Sequence, residues 1–350
     1  MNPALQSLEE WGNSLCPQCV QKVKQSISAA SLVKRRDGFG QTVRPVPGSV
    51  LASTATDLSG GEPDYFFHWL RDSAIVMNAM RLMATIDENL EAWIIAAFDD
   101  FAKFSLKLRS ISGREFLNSH GLPAKVAPEL RQYLRPDSEI RTVEGMRVLG
   151  EARYNADGTL DFIRWSRPQH DGPALRALAA MRFADGGFSL SGGLEQRLAS
   201  LIRFDLDYTV LNAGEPCFDI WEEEPARHYY TTLVQYAALQ MGAKWAHRRE
   251  EQEYASYLQA LTLELYKLLG KFWSDRQGIY RSRIPSTGED TPKDLDFSVI
   301  LGVIHAGLED GAHSILDERV HHTLRQLETL FAREYAINRG PGPGLAYGRY

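Results

Sequence analysis

Apolar residues recur along nearly the whole chain at helical spacing, and this period limits the fold more than any other feature. Ile94, Phe98, Phe101, Ser105 and Leu108 share one helix face, as do Val76, Met80 and Met83. Leu258, Leu261, Leu265, Leu268, Leu269 and Phe272 make a stripe broad enough to face a core. The spacing returns at Phe297, Ile300, Leu301 and Ile304, and at Val320, Leu324, Leu327 and Phe331. Segments with the two-residue period of strands are short and few. The pattern predicts helices near 3–34, 70–86, 89–109, 172–184, 192–213, 228–249, 251–273, 296–308 and 314–335. Such a chain is all-α.

Between those helices lie irregular segments rich in Gly, Pro, Asp and Trp, at 35–68, 110–171 and 214–227. Long loops inside a compact domain are uncommon and are usually functional. Paired helices that present long loops at one end predict an α/α barrel whose site is built from those loops. No Ser- or Pro-rich linker interrupts the chain, so residues 1–350 are expected to form a single domain.

Composition then removes several classes of function. The 350 residues are 44% hydrophobic and 24% charged, as in ordinary globular proteins. A formal charge of -6 gives no basic footprint for nucleic acid or an anionic membrane. No stretch approaches the roughly 20 apolar residues that span a bilayer. The segment from Met1 to Cys19 lacks the basic and apolar regions of a signal peptide, so a cytoplasmic location is expected. Cys16 and Cys19 form a lone C-P-Q-C with no second Cys or His pair at ligand spacing. They read as incidental reduced thiols, and neither a metal nor an organic cofactor is expected.

Three segments concentrate chemistry ahead of predicted helices. They are Asp64-Tyr65-Phe66-Phe67-His68-Trp69-Leu70-Arg71-Asp72-Ser73, Trp165-Ser166-Arg167-Pro168-Gln169-His170-Asp171, and Phe218-Asp219-Ile220-Trp221-Glu222-Glu223-Glu224. Aromatic faces stack on pyranose rings, and planar polar groups bind adjacent hydroxyls. Cleaving a glycosidic bond needs two carboxyl groups, one protonated and one ionised. Each segment also has a plainer reading. Arg71 and Asp72 suit a surface ion pair, Trp165 and Trp221 suit core aromatics, and acidic residues favour helix starts in any protein.

The run Tyr65 to Ser73 resembles the signature of glycoside hydrolase family 15, the glucoamylase family. So do Tyr154-Asn155-Ala156-Asp157-Gly158-Thr159 with Trp165 to Arg176, and Phe218 to Glu223 with Tyr230 to Leu239. Lys293-Asp294 with Leu301 to His305, and Gly348-Arg349-Tyr350, are similar to its later motifs, in the same order. The resemblance implies an (α/α)₆ toroid and exo-acting, inverting release of glucose from the non-reducing ends of α-1,4-glucans or maltooligosaccharides. It implies Glu222 as the general acid and Glu223 as a substrate-binding carboxylate beside it. It further implies Arg71 and Asp72 as the grip on the terminal glucose, with Tyr65 under that ring and Trp165 as a pocket wall. Arg167, Trp221 and Arg349 become further substrate contacts, and Asp219 a supporting acid. The family motif runs on from Gly-Arg-Tyr to a later glutamate that serves as base. By this resemblance the toroid is incomplete at its C-terminus and the base lies beyond Tyr350. Two other readings of the same scaffold are a non-catalytic glucan-binding or regulatory domain and a hydrolase of trehalose or another α-glucoside.

Overall fold

The computed structural model describes residues 3–57, 63–120, 125–284, 292–340 and 344–350. They form two compact units, Met1–Pro168 with Ala179–Tyr208, and Gln169–Leu178 with Thr209–Tyr350. The first unit carries helices α1 (Pro3–Ser26), α2 (Leu70–Ala84), α3 (Glu91–Lys107) and α4 (Gly113–His120). Helix α5 (Asp171–Ala184) begins in the second unit and ends in the first, and α6 (Gly192–Leu211) belongs to the first almost to its end. The second unit holds α7 (Tyr229–Arg248), α8 (Gln252–Gly270), α9 (Ser298–Ala306) and α10 (Glu318–Glu334).

Most helices fall where the apolar period places them. On α3 the buried residues include Ile94, Phe98, Phe101 and Ser105, the expected face, and Phe98 stacks on Phe183 with ring centroids 3.8 Å apart. Burying a side chain of that size is worth about 1.5–3 kcal/mol. On α2 the buried face is Leu70, Ala74, Met77, Met80 and Ala84, so Val76 and Met83 flank it instead of leading it. On α9 the buried residues include Val299, Ile300 and Val303, while Ile304 points outward. Helix α1 stops at Ser26, short of the expected 34. There the Ser26 hydroxyl donates to the Val23 carbonyl, and Ile27 leaves the helix to bridge Val50. A run of serines offers the backbone such local alternatives to the helix.

Strands are confined to short antiparallel ribbons, none longer than four residues, so the described residues contain no extended central sheet. In the first unit β1 (Lys34–Arg36) pairs β2 (Gln41–Val43), and β3 (His68–Trp69) pairs β4 (Arg153–Tyr154). In the second, β5 (Cys217–Phe218) and β9 (Arg283–Ile284) flank β6 (Pro225–His228), and β7 (Trp273–Ser274) pairs β8 (Ile279–Tyr280). Residues 110–171, read from sequence as loop, contain α4 and supply Val126, Ile140, Val148, Leu149 and Phe162 to one hydrophobic core with Leu70 and Phe104. That packing holds an irregular backbone in one conformation.

In the second unit α7 is buried on nearly every side and packs against both α8 and α9. The approach of α9 is close: a Cβ at Gly302 would stand 3.3 Å from the Cα of Tyr230. Helix α10 starts at an Asp317 cap whose carboxylate accepts the Arg319 N–H.

Candidate active site

In the first unit, the β3–β4 register sets Trp69 opposite Arg153. Leu70 then opens α2, which puts Arg71 and Asp72 in its first turn. Arg71 Nε lies 3.7 Å from Asp72 Oδ2; the arginine is nearly buried and the aspartate is 44% exposed. A carboxylate in the first turn of a helix is favoured by the helix dipole. Tyr65, Trp69 and Trp165 form an edge-to-face chain, with centroids 5.8 Å apart in the first pair and 5.9 Å in the second. Tyr65 is exposed and Trp165 half-buried, so both keep ring surface for a ligand.

A buried charge cluster supports this aromatic wall. The Arg153 guanidinium sits 3.7 Å from the Trp165 centroid and 4.0 Å from that of Phe67. Arg36 stands at 4.0 Å from the same Phe67 ring. Arg153 Nε and Arg167 Nη2 both donate to Asp161 Oδ2 at 2.8 Å, and Arg167 Nε donates to Glu151 Oε2 at 2.7 Å. Glu151 also receives both Nη groups of Arg135. Burial alone would push the Asp161 carboxyl up, but the charges of Arg153 and Arg167 outweigh it and hold it below the usual carboxylate range. Arg167, expected to touch substrate, is placed inside this cluster, where it bonds Glu151 and also Asp161, the carboxylate that holds Arg153.

In the second unit the acidic run forms the tip of the β5–β6 hairpin, where Phe218 pairs Pro225 and residues 219–224 make the turn. Asp219 builds that turn. Its carbonyl accepts the Glu222 N–H at 3.0 Å, and its Oδ1 accepts the N–H groups of Glu223 at 2.7 Å and Glu224 at 3.2 Å. Such side-chain-to-backbone bonds two or more residues on are how aspartate shapes turns. Glu222 sits in the left-handed region at φ 65°, unusual for a residue other than glycine and a form of strain often found at functional sites. Its Oε1 accepts a bond from Gln169 Nε2 at 2.8 Å.

The neighbours of Glu222 are fixed as well. Trp221 Nε1 donates to both oxygens of the buried Asp296 at 3.0 Å. Glu223 accepts from Lys293 Nζ at 2.5 Å, Tyr350 Oη at 2.9 Å and Arg349 Nη1 at 3.0 Å. The hydrogen bond from Lys293 contributes most to holding the Glu223 carboxyl below its ordinary value. The Arg349 guanidinium lies 5.0 Å from the Trp221 ring centroid. Burial pushes Asp219 and Asp296 the other way, toward the protonated form. One tip therefore carries a carboxyl held by an uncharged amide beside a carboxylate ringed by cations.

The structure thus joins Tyr65 and Trp165 through Trp69, with Arg71 and Asp72 on the adjoining turn, and joins Asp219, Trp221, Glu222, Glu223 and Arg349 at the hairpin. Sequence reasoning missed Arg153, Asp296 and Tyr350 as partners and gave Gln169 no role. Gln169 lay inside a quoted motif, whereas nothing in the pattern around Arg153 marked it. Among the described residues no group of three His, Cys, Asp or Glu side chains is arranged to hold a metal ion. None of their helices is long and apolar enough to cross a membrane.

The profile described as Glycosyl hydrolases family 15 matches residues 37–350. The chain belongs to that family. It is 29% identical to a "Probable glucoamylase" of Schizosaccharomyces pombe, over 95% of this chain and 63% of that protein. It is 28% identical to "Glucoamylase 1" of Rhizopus oryzae, over 92% of this chain and 50% of that protein. The chain therefore spans between half and two thirds of the length of these curated relatives. The structure of the Saccharomycopsis fibuligera glucoamylase matches with a TM-score of 0.69 at 26% identity, covering 87% of this chain and 61% of that one. The Hormoconis resinae glucoamylase matches at 0.71 and 24% identity, over 96% of this chain and 52% of that one, and shows the fold alone. These likenesses support the all-α class and the (α/α)₆ type expected from the sequence.

Proposed function

We propose that this chain belongs to an exo-acting, inverting glucosidase of the glucan 1,4-alpha-glucosidase type, and that residues 1–350 are part of a single catalytic domain. Its substrate would be an α-1,4-glucan or maltooligosaccharide cleaved from the non-reducing end. The observation that carries this reading is the hairpin tip, where Glu222 is strained, anchored through Gln169 and adjacent to a cation-bound carboxylate. Glu222 gives its proton to the glycosidic oxygen, which keeps the electron pair of the breaking C–O bond. Water attacks the opposite face of the anomeric carbon and loses its proton to a second carboxylate, which in inverting enzymes stands roughly 6.5–9.5 Å away. Glu223 binds a hydroxyl next to the scissile bond, Trp221 and Arg349 support it, and Asp219 holds the turn. Arg71 and Asp72 grip the terminal glucose, and Tyr65 and Trp165 supply stacking faces. The three free cysteines suit a reducing compartment, which favours the cytoplasm.

The test is Glu222→Gln assayed on maltose. The amide cannot deliver a proton, so kcat should fall by about 10²–10⁴-fold, the usual contribution of general acid catalysis. Undiminished turnover would remove Glu222 from the mechanism.

A further inference from the structure

Asp219 fixes the backbone of the hairpin tip, but a glutamate has three side-chain torsions, and a fixed backbone does not aim its carboxyl. Gln169 Nε2 donates to the Glu222 carboxyl at Oε1 over 2.8 Å. Gln169 is only 3% exposed and stands two residues before α5, within the same compact unit as the hairpin. A buried amide is a suitable anchor. It is uncharged at every working pH, and its N–H can donate to one carboxyl oxygen whether or not the other carries the proton.

We infer that Gln169 is a positioning residue for Glu222, one whose bond to Oε1 aims the carboxyl at the leaving-group oxygen. This rests on the reading of Glu222 as the general acid. During transfer the O–H bond of the Glu222 carboxyl breaks and the proton joins the departing oxygen. The carboxylate left behind gains stabilisation from the Gln169 N–H as its charge develops, which is the stage at which a fixed donor helps most.

The experiment uses Gln169→Met, which fills similar volume without a donor, and the near-isosteric Gln169→Glu, in the full chain. Each is assayed on maltose and on 4-nitrophenyl α-glucoside, whose leaving group departs with little help from an acid. Positioning predicts a kcat loss of about 10-fold or more on maltose, KM within roughly 2-fold, and aryl-glucoside turnover within roughly 2-fold. Thermal melting of both variants identifies one that fails to fold, and the other then decides. Equal loss on both substrates, a change confined to KM, or no loss at all overturns the inference. Glu222→Gln run in parallel separates the two levels. If it is inactive on maltose while Gln169→Met is normal, only the positioning role falls; if it too is normal, the proposed function falls with it.

Discussion

In the first unit Asp161 is buried against Arg153 and Arg167 and held ionised, whereas in the second unit the half-buried Asp219 and the buried Asp296 have less cationic support and are pushed toward the neutral form. The same side chain thus answers burial in opposite ways, decided by the guanidinium groups brought to it. The first cluster is a set of permanent charges that stiffens an aromatic wall, and nothing in it needs to change protonation state. The second surrounds a carboxyl whose proposed task is to lose a proton, and its direct anchor is a neutral amide. The proposed grip on a sugar suits the first plan and the proposed proton transfer suits the second.

Arg153→Ala should strain that division most in stability. It strips a buried carboxylate of one of two arginines and takes the support from under Trp165 and Phe67. Breaking one side of a buried pair costs about 3–5 kcal/mol, and Arg153→Lys should rescue little because an ammonium cannot keep the planar contacts with Phe67 and Trp165. Thermal melts check both variants. A loss under 1 kcal/mol would mean that the cluster is not what holds the wall.

Acidification should separate the two units next. His170 and His313, both in the second unit, are pushed down by burial to about 4. Their folded values lie below the unfolded one, so their contribution to stability is full above about pH 6.5 and is lost as pH falls toward 4. Each loss is on the order of 3 kcal/mol. Asp219 and Asp296 work against this, since raised carboxyls favour the fold at low pH and lose that contribution as pH rises. Asp161 is depressed and contributes until pH falls below the ordinary carboxylate range. Amide exchange followed from pH 7 to 4.5 should therefore show protection falling in residues 209–284 before residues 70–168. The reverse order would contradict the assignment of these shifts.

The smallest effect is expected at Trp221→Phe, which removes the indole donor from Asp296 while leaving the acceptor its Ser298 N–H at 2.6 Å. Loss of one such bond to a buried group costs about 1–3 kcal/mol, so the melt should shift modestly and the maltose KM should rise. An unchanged KM would confine Trp221 to a structural role.

How much of this was legible in sequence follows from how local each cause is. The faces of α3 and α10 were readable because Phe98 and Phe101, or Leu327 and Phe331, repeat at the period that buries them. The end of α1 was not, because Ser26 and Ile27 choose between helix and a bridge to Val50, which is distant in the chain. Residues 110–171 read as loop because their core side chains follow no period, although Val148, Leu149 and Phe162 are as buried as any helical residue. Glu222 was legible through the motif it resembles. Its bond to Gln169 was not, since 53 residues separate the pair and nothing in the spacing joins them. Arg153 was invisible for the same reason: its role is defined by Phe67, Trp69, Trp165 and Asp161, which only the fold assembles.

The central proposal is that Asp72 binds the sugar while Glu222 moves the proton, and calorimetric titration of glucose into Asp72→Asn and Glu222→Gln tests it most directly. Asp72→Asn loses a charged acceptor and should weaken glucose binding by about 10-fold or more, since hydrogen bonds to charged groups are worth roughly 1.5–3 kcal/mol. Glu222→Gln should bind glucose within about 3-fold of the parent while turning over almost no maltose. Equal loss of glucose affinity in both variants, or loss in Glu222→Gln alone, would contradict the division of labour.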